Sequence, residues 1–338
     1  MMKRLEEMLQ CLIEGRKEVQ PAKWWVELNQ KNVDQLSKYG YKNFKRTVVK
    51  NYFTWSLMAP WNPQVIFLLS NVKPSTTIKN IFKTIFLLKH EYLTLMESLV
   101  VNFLTFMVWE YAKIDNSYIL DKLNEPTIGN PPKIYLNNKL ISQDIANSVI
   151  EFKSIMEPIT GKNSIKTIGE LGGGYGRNAY VFLSMMQGIK YIMIDIPPAL
   201  YIAERYLTDV FPEKKIFKFR KFDCYSEIKE EFECAEILFF VSSQIELLPN
   251  KIIDLFINIS SLHEMRLEQI QYYFAEIERL TKNNGYFYIK EWKDAFVPFE
   301  DDDIHIKMED YPVRSWTKIF WREAKVQTQF FEALLRLN

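Results

Sequence analysis

The sequence has few of the residues that build metal centres, disulfide frameworks or nucleic-acid-binding surfaces. Its three cysteines, Cys11, Cys224 and Cys234, show no repeated spacing, which argues against a zinc site and for a reducing, cytoplasmic compartment. The 43 basic and 42 acidic residues leave a formal charge of +1, so no global basic field predicts binding to nucleic acid. Glycine is scarce too, at 11 of 338 residues, and its distribution is therefore informative.

Clean apolar runs of membrane-spanning length are also missing. The longest candidate, residues 93–109, is interrupted by Glu97 and Asn102 and falls short of the roughly 20 apolar residues that a span needs. Four of the first seven residues are charged, and this stretch lacks the apolar run of a signal peptide. With 48% apolar and 25% charged residues, the chain is an ordinary globular protein, and its length suggests two domains or one domain with an appendage.

Five of the 11 glycines lie between Gly169 and Gly176, in the run Ile-Gly-Glu-Leu-Gly-Gly-Gly-Tyr-Gly-Arg. Residues 164–168, of which three are β-branched, precede this run, and the helix-like residues 178–186 follow it. Glycine permits positive φ and lets a ligand approach bare backbone. The pattern therefore predicts a strand, a glycine turn and a helix that together bind a nucleotide.

The spacing Glu170-x-Gly172-x-Gly174-x-Gly176 favours one cofactor. An acid two residues before the first of these glycines is typical of S-adenosylmethionine (SAM) methyltransferases, where the carboxylate orders the turn and attracts the cationic methionine end. A dinucleotide-binding enzyme would use G-x-G-x-x-G, which this spacing fits less well, and binding of NAD or FAD stays one alternative. A tight turn without a ligand is the other alternative.

A second acid supports the assignment of the cofactor. Residues 190–195 are typical of a buried parallel strand that ends in Asp195, 19 residues after Gly176. In doubly wound folds this position accepts hydrogen bonds from ribose hydroxyls. Ile196 and the two prolines after it are expected to begin the next helix and to contact the adenine.

Two positions stay open for recognition of the adenine amino group. Asp223 can accept its hydrogen bond if residues 216–222 are the third main strand of the sheet. Gln244, or the serines before it, can do so if residues 237–241 are that strand. For each position an exposed loop residue is an equally good interpretation.

Residues 254–260 are the clearest remaining strand, and His263 and Glu264 follow them. Ligands lie at the carboxyl ends of the strands in open α/β sheets, and His263 alone among the three histidines is found there. A neutral imidazole can take the proton of an alcohol acceptor, and Glu264 can orient that imidazole or bind a substrate hydroxyl. The alternative is that His263 only caps the turn.

Strand five, residues 286–290, leads to two further candidates at the same edge. Glu291 and Trp292 offer a carboxylate and an aromatic face, which suit a sugar, although a core tryptophan is an alternative. Residues 301–303 and His305 can bind a divalent ion, but a solvated acidic loop is the better interpretation, and no metal is predicted.

Three regions follow from the patterns along the chain. Residues 1–122 are mostly helical, including a long helix over about 77–114, and residues 123–160 form a connector with a helix that begins after Ser142. Residues 161–338 alternate strands and helices, which predicts an α/β Rossmann-like domain with a mostly parallel seven-stranded sheet. Its last helices are expected at residues 267–280, with Gly285 as a stop, and near 330–337.

Several of these motifs resemble the sugar O-methyltransferases of bacteria and archaea. The similar parts lie between about 125 and 292, and the block Ser-Leu-His-Glu-Met, residues 261–265, is the most diagnostic. The resemblance implies a class I methyltransferase that uses SAM, releases S-adenosylhomocysteine and methylates a hydroxyl of a sugar or glycan.

A more distant similarity connects His263-Glu264 to the His-Asp pair of plant-type natural-product O-methyltransferases. It implies that His263 is the base, although Met265 stands where those enzymes have tryptophan. It also implies a homodimer through residues 1–122. Two other functions stay open: methylation of an amine or a phenol, and a non-catalytic protein that binds SAM or a glycan.

Overall fold

The computed structural model describes residues 2–51, 62–72, 90–161, 164–297, 304–313 and 316–338. The chain divides into two compact units, of which the first comprises residues 1–31, 158–324 and 329–338. The second comprises residues 32–157 and 325–328. The predicted boundary at residue 122 therefore falls inside the second unit, and residues 1–31 belong to the unit that contains the glycine turn.

The helices and strands are numbered along the chain. The helices are α1 (Met2–Ile13), α2 (Lys23–Tyr39), α3 (Pro63–Asn71), α4 (Leu95–Lys122), α5 (Gln143–Met156), α6 (Arg177–Met185), α7 (Ala199–Val210), α8 (Lys229–Cys234) and α9 (Leu267–Leu280). The strands are β1 (Ile134–Leu136), β2 (Lys139–Ile141), β3 (Thr167–Leu171), β4 (Lys190–Asp195), β5 (Ile216–Phe217), β6 (Ile237–Val241), β7 (Ile253–Ile259), β8 (Thr281–Trp292), β9 (Asp294–Val297), β10 (Ile304–Lys307), β11 (Trp316–Glu323) and β12 (Phe330–Leu337).

Helices dominate the second unit, and their first residues follow from capping chemistry. The Thr94 hydroxyl accepts a hydrogen bond from the amide of Glu97, whose carboxylate accepts from the amide of Thr94, and α4 begins there. Ser142 caps α5 as predicted, because its hydroxyl accepts from the amide of Ile145 at 3.1 Å. Within the described ranges, no helix is both long and apolar enough for a membrane span.

The long helix predicted over residues 77–114 is only partly confirmed. Residues 77–89 lie outside the described residues, and a turn over residues 91–93 precedes α4. From Leu95 onward the chain is helical, and its most apolar part, including Phe106, Met107 and Trp109, is buried.

The first unit is built on an eight-stranded sheet with the order β11-β12-β8-β7-β3-β4-β6-β5. The strands β8, β7, β3, β4, β6 and β5 are parallel to one another, and β12 lies antiparallel between β8 and β11. This order and the single reversed strand are those of the Rossmann-like methyltransferase fold, which confirms the predicted fold class. Seven strands were predicted, and the additional one is the two-residue β5 at the edge.

The third main strand is β6. It pairs with β4 over five residues, and Val241 lies opposite Asp195. β5 pairs only with β6, on its outer side. Of the two runs that the sequence left open, residues 237–241 therefore lie beside the Asp195 strand.

The prediction of a helix near residues 330–337 is wrong, because these residues form β12. Seven of its residues pair with β8, and only Arg336 is exposed. Pairing and burial on both faces outweigh the helical preference of the sequence Phe-Phe-Glu-Ala-Leu-Leu-Arg-Leu. The helix over 267–280 is confirmed as α9, but Gly285 lies within β8 and does not end it.

Candidate cofactor and catalytic site

The glycine turn follows β3 and requires positive φ at three positions. Gly172, Gly174 and Gly176 have φ values of +74°, +59° and +93°. A side chain placed on Gly174 would meet no atom within 4 Å, so this part of the turn faces open space. Gly176 begins α6 in the left-handed conformation. The residues therefore fit a ligand that lies against bare backbone.

Glu170 lies beneath this turn. Its carboxylate is 2% exposed and accepts hydrogen bonds from the Tyr191 hydroxyl at 2.8 Å and from the Asn178 amide at 3.3 Å. A Cβ on Gly173 would be 2.8 Å from the Glu170 carboxylate, so the turn rests directly on it. Glu170 therefore supports the turn from the side of the sheet. Its negative charge would attract a cation bound on the other side of the turn. The sequence had not singled out Tyr191 or Asn178.

Asp195 ends β4 and is tied to the glycine turn. Its two carboxylate oxygens accept hydrogen bonds from the backbone amides of Gly174 and Ile196, both at 2.7 Å. Burial raises the pKa of Asp195 to about 7, and the nearby negative charge of Glu170 raises it too. The hydrogen bonds from the two backbone amides act in the opposite direction. This carboxyl group is therefore partly protonated at neutral pH. Hydrogen bonds from the hydroxyl groups of a ligand would stabilise its ionised form.

The two adenine candidates differ in their environments. Both ends of the Gln244 amide are occupied, because its oxygen accepts from the amide of Val241 and its nitrogen donates to the carbonyl of Arg220. Gln244 is also 2% exposed, and its contact with the adenine stays a prediction. Asp223 is exposed and follows the outermost strand, and its contact with the cofactor stays a prediction.

His263 lies in the 3-10 turn Leu262–Glu264 that follows β7, and it is buried. Its Nδ1 is 2.6 Å from the carboxylate of Glu291, at the end of β8. The other oxygen of Glu291 accepts from the backbone amides of Ser261 and Leu262, both at 2.8 Å. Glu291 is completely buried and its carboxylate fixes the His263 ring, while its contact with a substrate stays a prediction.

Glu264 lies on the opposite side of the His263 ring. One of its oxygens is 3.5 Å from Nε2, and the other is buried and, among the described residues, has no hydrogen-bond partner. Burial lowers the pKa of His263, but the charges of Glu291 and Glu264 together raise it above its usual range. The ring is thus a stronger base than an ordinary histidine, and an acceptor beside Nε2 would also meet a free carboxylate oxygen.

Two aromatic side chains complete this environment. The ring centroids of Trp292 and Phe330 lie 6.0 Å and 6.4 Å from that of His263, and 5.0 Å from each other. Trp292 is half-buried, so both predicted roles, core packing and an aromatic face for a substrate, fit its position. Phe330 comes from β12 and was not predicted.

Asn258 and Ser261 connect the His263 turn to the glycine turn. The Asn258 amide donates to the carbonyl of Leu171 at 3.0 Å and to the Ser261 hydroxyl at 2.6 Å. A Cβ on Gly172 would collide with the side chain of Ser261. The turn that carries His263 and the turn suited to a cofactor are therefore in contact.

The described part of the chain contains no group of three potential metal ligands. The predicted alternative site at residues 301–303 lies outside that part. His305, on β10, is exposed and pairs with Asp294.

No protein-family model matches the chain. It is similar to caffeic acid 3-O-methyltransferases 1 and 2 of Ocimum basilicum, each 36% identical over 70 residues. That stretch is 20% of this chain and spans only 19% of the length of these relatives.

Solved structures with a similar arrangement include two methyltransferases. One is 1,6-didemethyltoxoflavin-N1-methyltransferase of Burkholderia thailandensis, with S-adenosylhomocysteine bound (15% identity, TM-score 0.40, covering 58% of this chain and 79% of that one). The other is a SAM-dependent methyltransferase of Clostridium acetobutylicum (12% identity, TM-score 0.38, covering 58% and 92%).

Proposed function

We propose that the protein is a SAM-dependent methyltransferase whose acceptor is a hydroxyl group, with a sugar or glycan as the favoured substrate. The observation that carries this proposal is the contact between the glycine turn and the turn of His263, through Ser261 and Gly172. A methyl donor on the first turn and a proton acceptor on the second would then share one crevice.

Each residue of the proposed cofactor site has a distinct task. Gly172, Gly174 and Gly176 would hold the methionine end, Glu170 would support their turn, and Asp195 would accept hydrogen bonds from the ribose. When bound, SAM supplies a methyl group on a positively charged sulfur. Methyl transfer needs the acceptor oxygen in line with that group, so the protein mainly has to position and deprotonate the acceptor.

His263 would carry the proton transfer. An alcohol is a poor nucleophile until it loses its proton, and Nε2 of His263 is the nitrogen that Glu291 leaves available. Glu291 would hold the ring by its bond to Nδ1 and stabilise the imidazolium that forms. The acceptor then leaves as a methyl ether, and the proton remains on His263 until solvent takes it.

Glu264 and the aromatic pair support an acceptor with several hydroxyl groups. The oxygen of Glu264 that lacks a partner within the described ranges can accept from a second hydroxyl beside the reacting one. Trp292 and Phe330 can pack against the apolar face of a sugar ring. A phenol is the second candidate acceptor, because the local sequence similarity is to enzymes named for caffeic acid.

The proposal is tested by incubating the protein with SAM and three panels of acceptors: sugars and nucleotide sugars, phenols, and amines. We expect S-adenosylhomocysteine, together with an acceptor that gains one methyl group in mass spectrometry, from the sugar panel. Product from the phenol panel alone would show that the acceptor is a phenol and not a sugar. Product from amines alone would overturn the hydroxyl proposal, and a protein that binds SAM but turns over no acceptor would favour the non-catalytic alternative.

The pH dependence of turnover should depend on Glu291. The two carboxylates raise the pKa of His263, so the neutral imidazole becomes abundant only in alkaline solution, and turnover should rise with pH above neutrality. Glu291→Gln removes one negative charge and lowers that pKa, so the rising limb should move to lower pH by about 1–3 units. The maximal rate should fall, because the amide stabilises the imidazolium less.

The control for this measurement is Glu268→Gln, an identical change at an exposed residue in the first turn of α9. Its pH profile should coincide with that of the wild type. An unshifted limb in Glu291→Gln would show that His263 does not control the rate.

A further inference from the structure

The N-terminal segment, residues 2–20, belongs to the same unit as the cofactor crevice and is anchored along its length. It consists of α1 and the 3-10 turn Lys17–Val19. The apolar face of α1 is buried, with Leu5, Met8 and Leu12 at most 3% exposed. The helix contacts α7, β6 and the turn Ser242–Leu247. Of these, α7 follows β4 along the chain, and the turn follows β6.

The beginning of the segment is fixed by a charge pair. The Arg4 guanidinium donates to both oxygens of Glu204, at 2.6 Å and 2.8 Å, and to the carbonyl of Phe219 at 2.7 Å. Glu204 is 2% exposed and also accepts from the amide of Phe219. Detachment of Arg4 would leave this carboxylate buried without its cation, so the pair stabilises the attachment of α1 to the unit.

The end of the segment is fixed through its backbone. The Gln269 side chain, on α9, donates to the carbonyls of Glu18 and Gln20 at 3.0 Å and 2.8 Å. Arg266 donates to the carbonyl of Gln20 at 3.3 Å. These bonds bind the segment to the residues directly after the His263 turn.

The middle of the segment presses on Ser243. The Ser243 hydroxyl donates to the carbonyl of Cys11 at 3.0 Å, and a Cβ on Gly15 would lie 2.5 Å from the Cβ of Ser243. Val241, two residues earlier, is the register partner of Asp195. The segment therefore covers the chain at the point where it leaves the strand beside Asp195.

The strand order indicates which part of a cofactor would lie there. The glycine turn follows β3, Asp195 ends β4, and Ser243 follows β6, and these three strands are neighbours in this order. A cofactor with its methionine end on the glycine turn and its ribose at Asp195 would direct its adenine towards β6.

We propose that residues 11–20 form the outer wall of the adenine pocket, with Gly15 and Ser243 as the contact that sets its width. This inference rests on the proposed function, because it concerns the adenosine part of SAM. Gly15 is suited to this place because any side chain would push the segment away from Ser243. The wall would give the adenine a contact surface and keep water from it.

The test uses the full-length protein and titration calorimetry with S-adenosylhomocysteine and with adenosine. We expect Gly15→Ala to weaken binding of both compounds about tenfold or more, since an adenosine-only probe reports on the same pocket. Ser243→Ala, which removes the bond to the Cys11 carbonyl, should weaken both by a smaller factor. Glu6→Ala, on the exposed face of α1, is the control and should bind like the wild type.

The outcomes separate this inference from the proposed function. A wild-type protein that does not bind S-adenosylhomocysteine would overturn both. A wild type that binds it, with Gly15→Ala and Ser243→Ala unchanged, would overturn only the wall. Should Gly15→Ala fail to fold by circular dichroism, Ser243→Ala and hydrogen exchange of the wild type decide, because amides of residues 11–20 should exchange more slowly with S-adenosylhomocysteine bound.

Discussion

Replacement of His263 by alanine is expected to lower kcat by about 10²–10⁴-fold, the contribution usually made by a positioned general base. The Nδ1 atom of the imidazole lies 2.6 Å from the carboxylate of Glu291, and Nε2 is the ring nitrogen that would take the proton of an acceptor. His263 is not one of the residues proposed to hold the cofactor, so the variant should still bind S-adenosylhomocysteine. Steady-state turnover and titration calorimetry measure the two effects separately.

A rescue experiment distinguishes a base from a residue that only supports the turn. Added imidazole should restore part of the turnover of His263→Ala, since it can occupy the vacated space and accept the proton. Glu268→Ala, an exposed change five residues along the chain, should leave turnover unaltered. Full activity of His263→Ala would remove the base assignment and would favour an amine acceptor, which needs no strong base.

The backbone features of the proposed cofactor site could be predicted from the sequence because their signals are local. Gly172, Gly174 and Gly176 have the positive φ that their spacing predicted, and Asp195 ends the strand that its apolar run indicated. Ser142 begins α5 for an equally local reason, a hydroxyl that satisfies a free amide at a helix start. Such features depend on a few neighbouring residues and need no knowledge of the fold.

The acceptor half could not be predicted in the same way, because it depends on contacts across the sheet. Glu291 meets His263 over 28 positions of sequence, and only the parallel pairing of β7 and β8 brings the ends of the two strands together. From the sequence, the position of Glu291 at a strand end suggested only a contact with a ligand. The structure shows that His263 is its partner. Phe330 was missed because β12 is rich in residues that favour helices, while its structure is decided by pairing with β8.

The contacts of the N-terminal segment, residues 2–20, also could not be predicted from the sequence. The helical character predicted for residues 1–122 includes α1, but the sequence pattern carried no information on which unit this helix packs against. Arg4 and Glu204 are 200 residues apart, and only the folded chain identifies them as a pair. Dimerisation through the N-terminal helices stays a prediction, and α1 already buries its apolar face within the chain.

Asp195→Ala is expected to weaken the binding of S-adenosylhomocysteine by about 10²–10⁴-fold, since hydrogen bonds to a charged group contribute about 1.5–3 kcal/mol each and a ribose offers two. The substitution also removes the acceptor for the amide of Gly174, which loosens the glycine turn. Calorimetry measures the loss, and Asp209→Ala, an exposed change near the end of α7, is the control that should bind normally.

The pH dependence of binding gives a sharper test of the same residue. Burial raises the pKa of Asp195 to about 7 in the free protein, and hydroxyl donors with a nearby positive charge favour the ionised form. Affinity for SAM should thus be constant above about pH 7 and fall by up to about tenfold per unit below it, with a proton released on binding. Asp195→Asn cannot titrate, so its weaker binding should not vary in this range. Wild-type binding that is equally tight at about pH 5.5 and pH 8 would show that no ligand group meets this carboxyl.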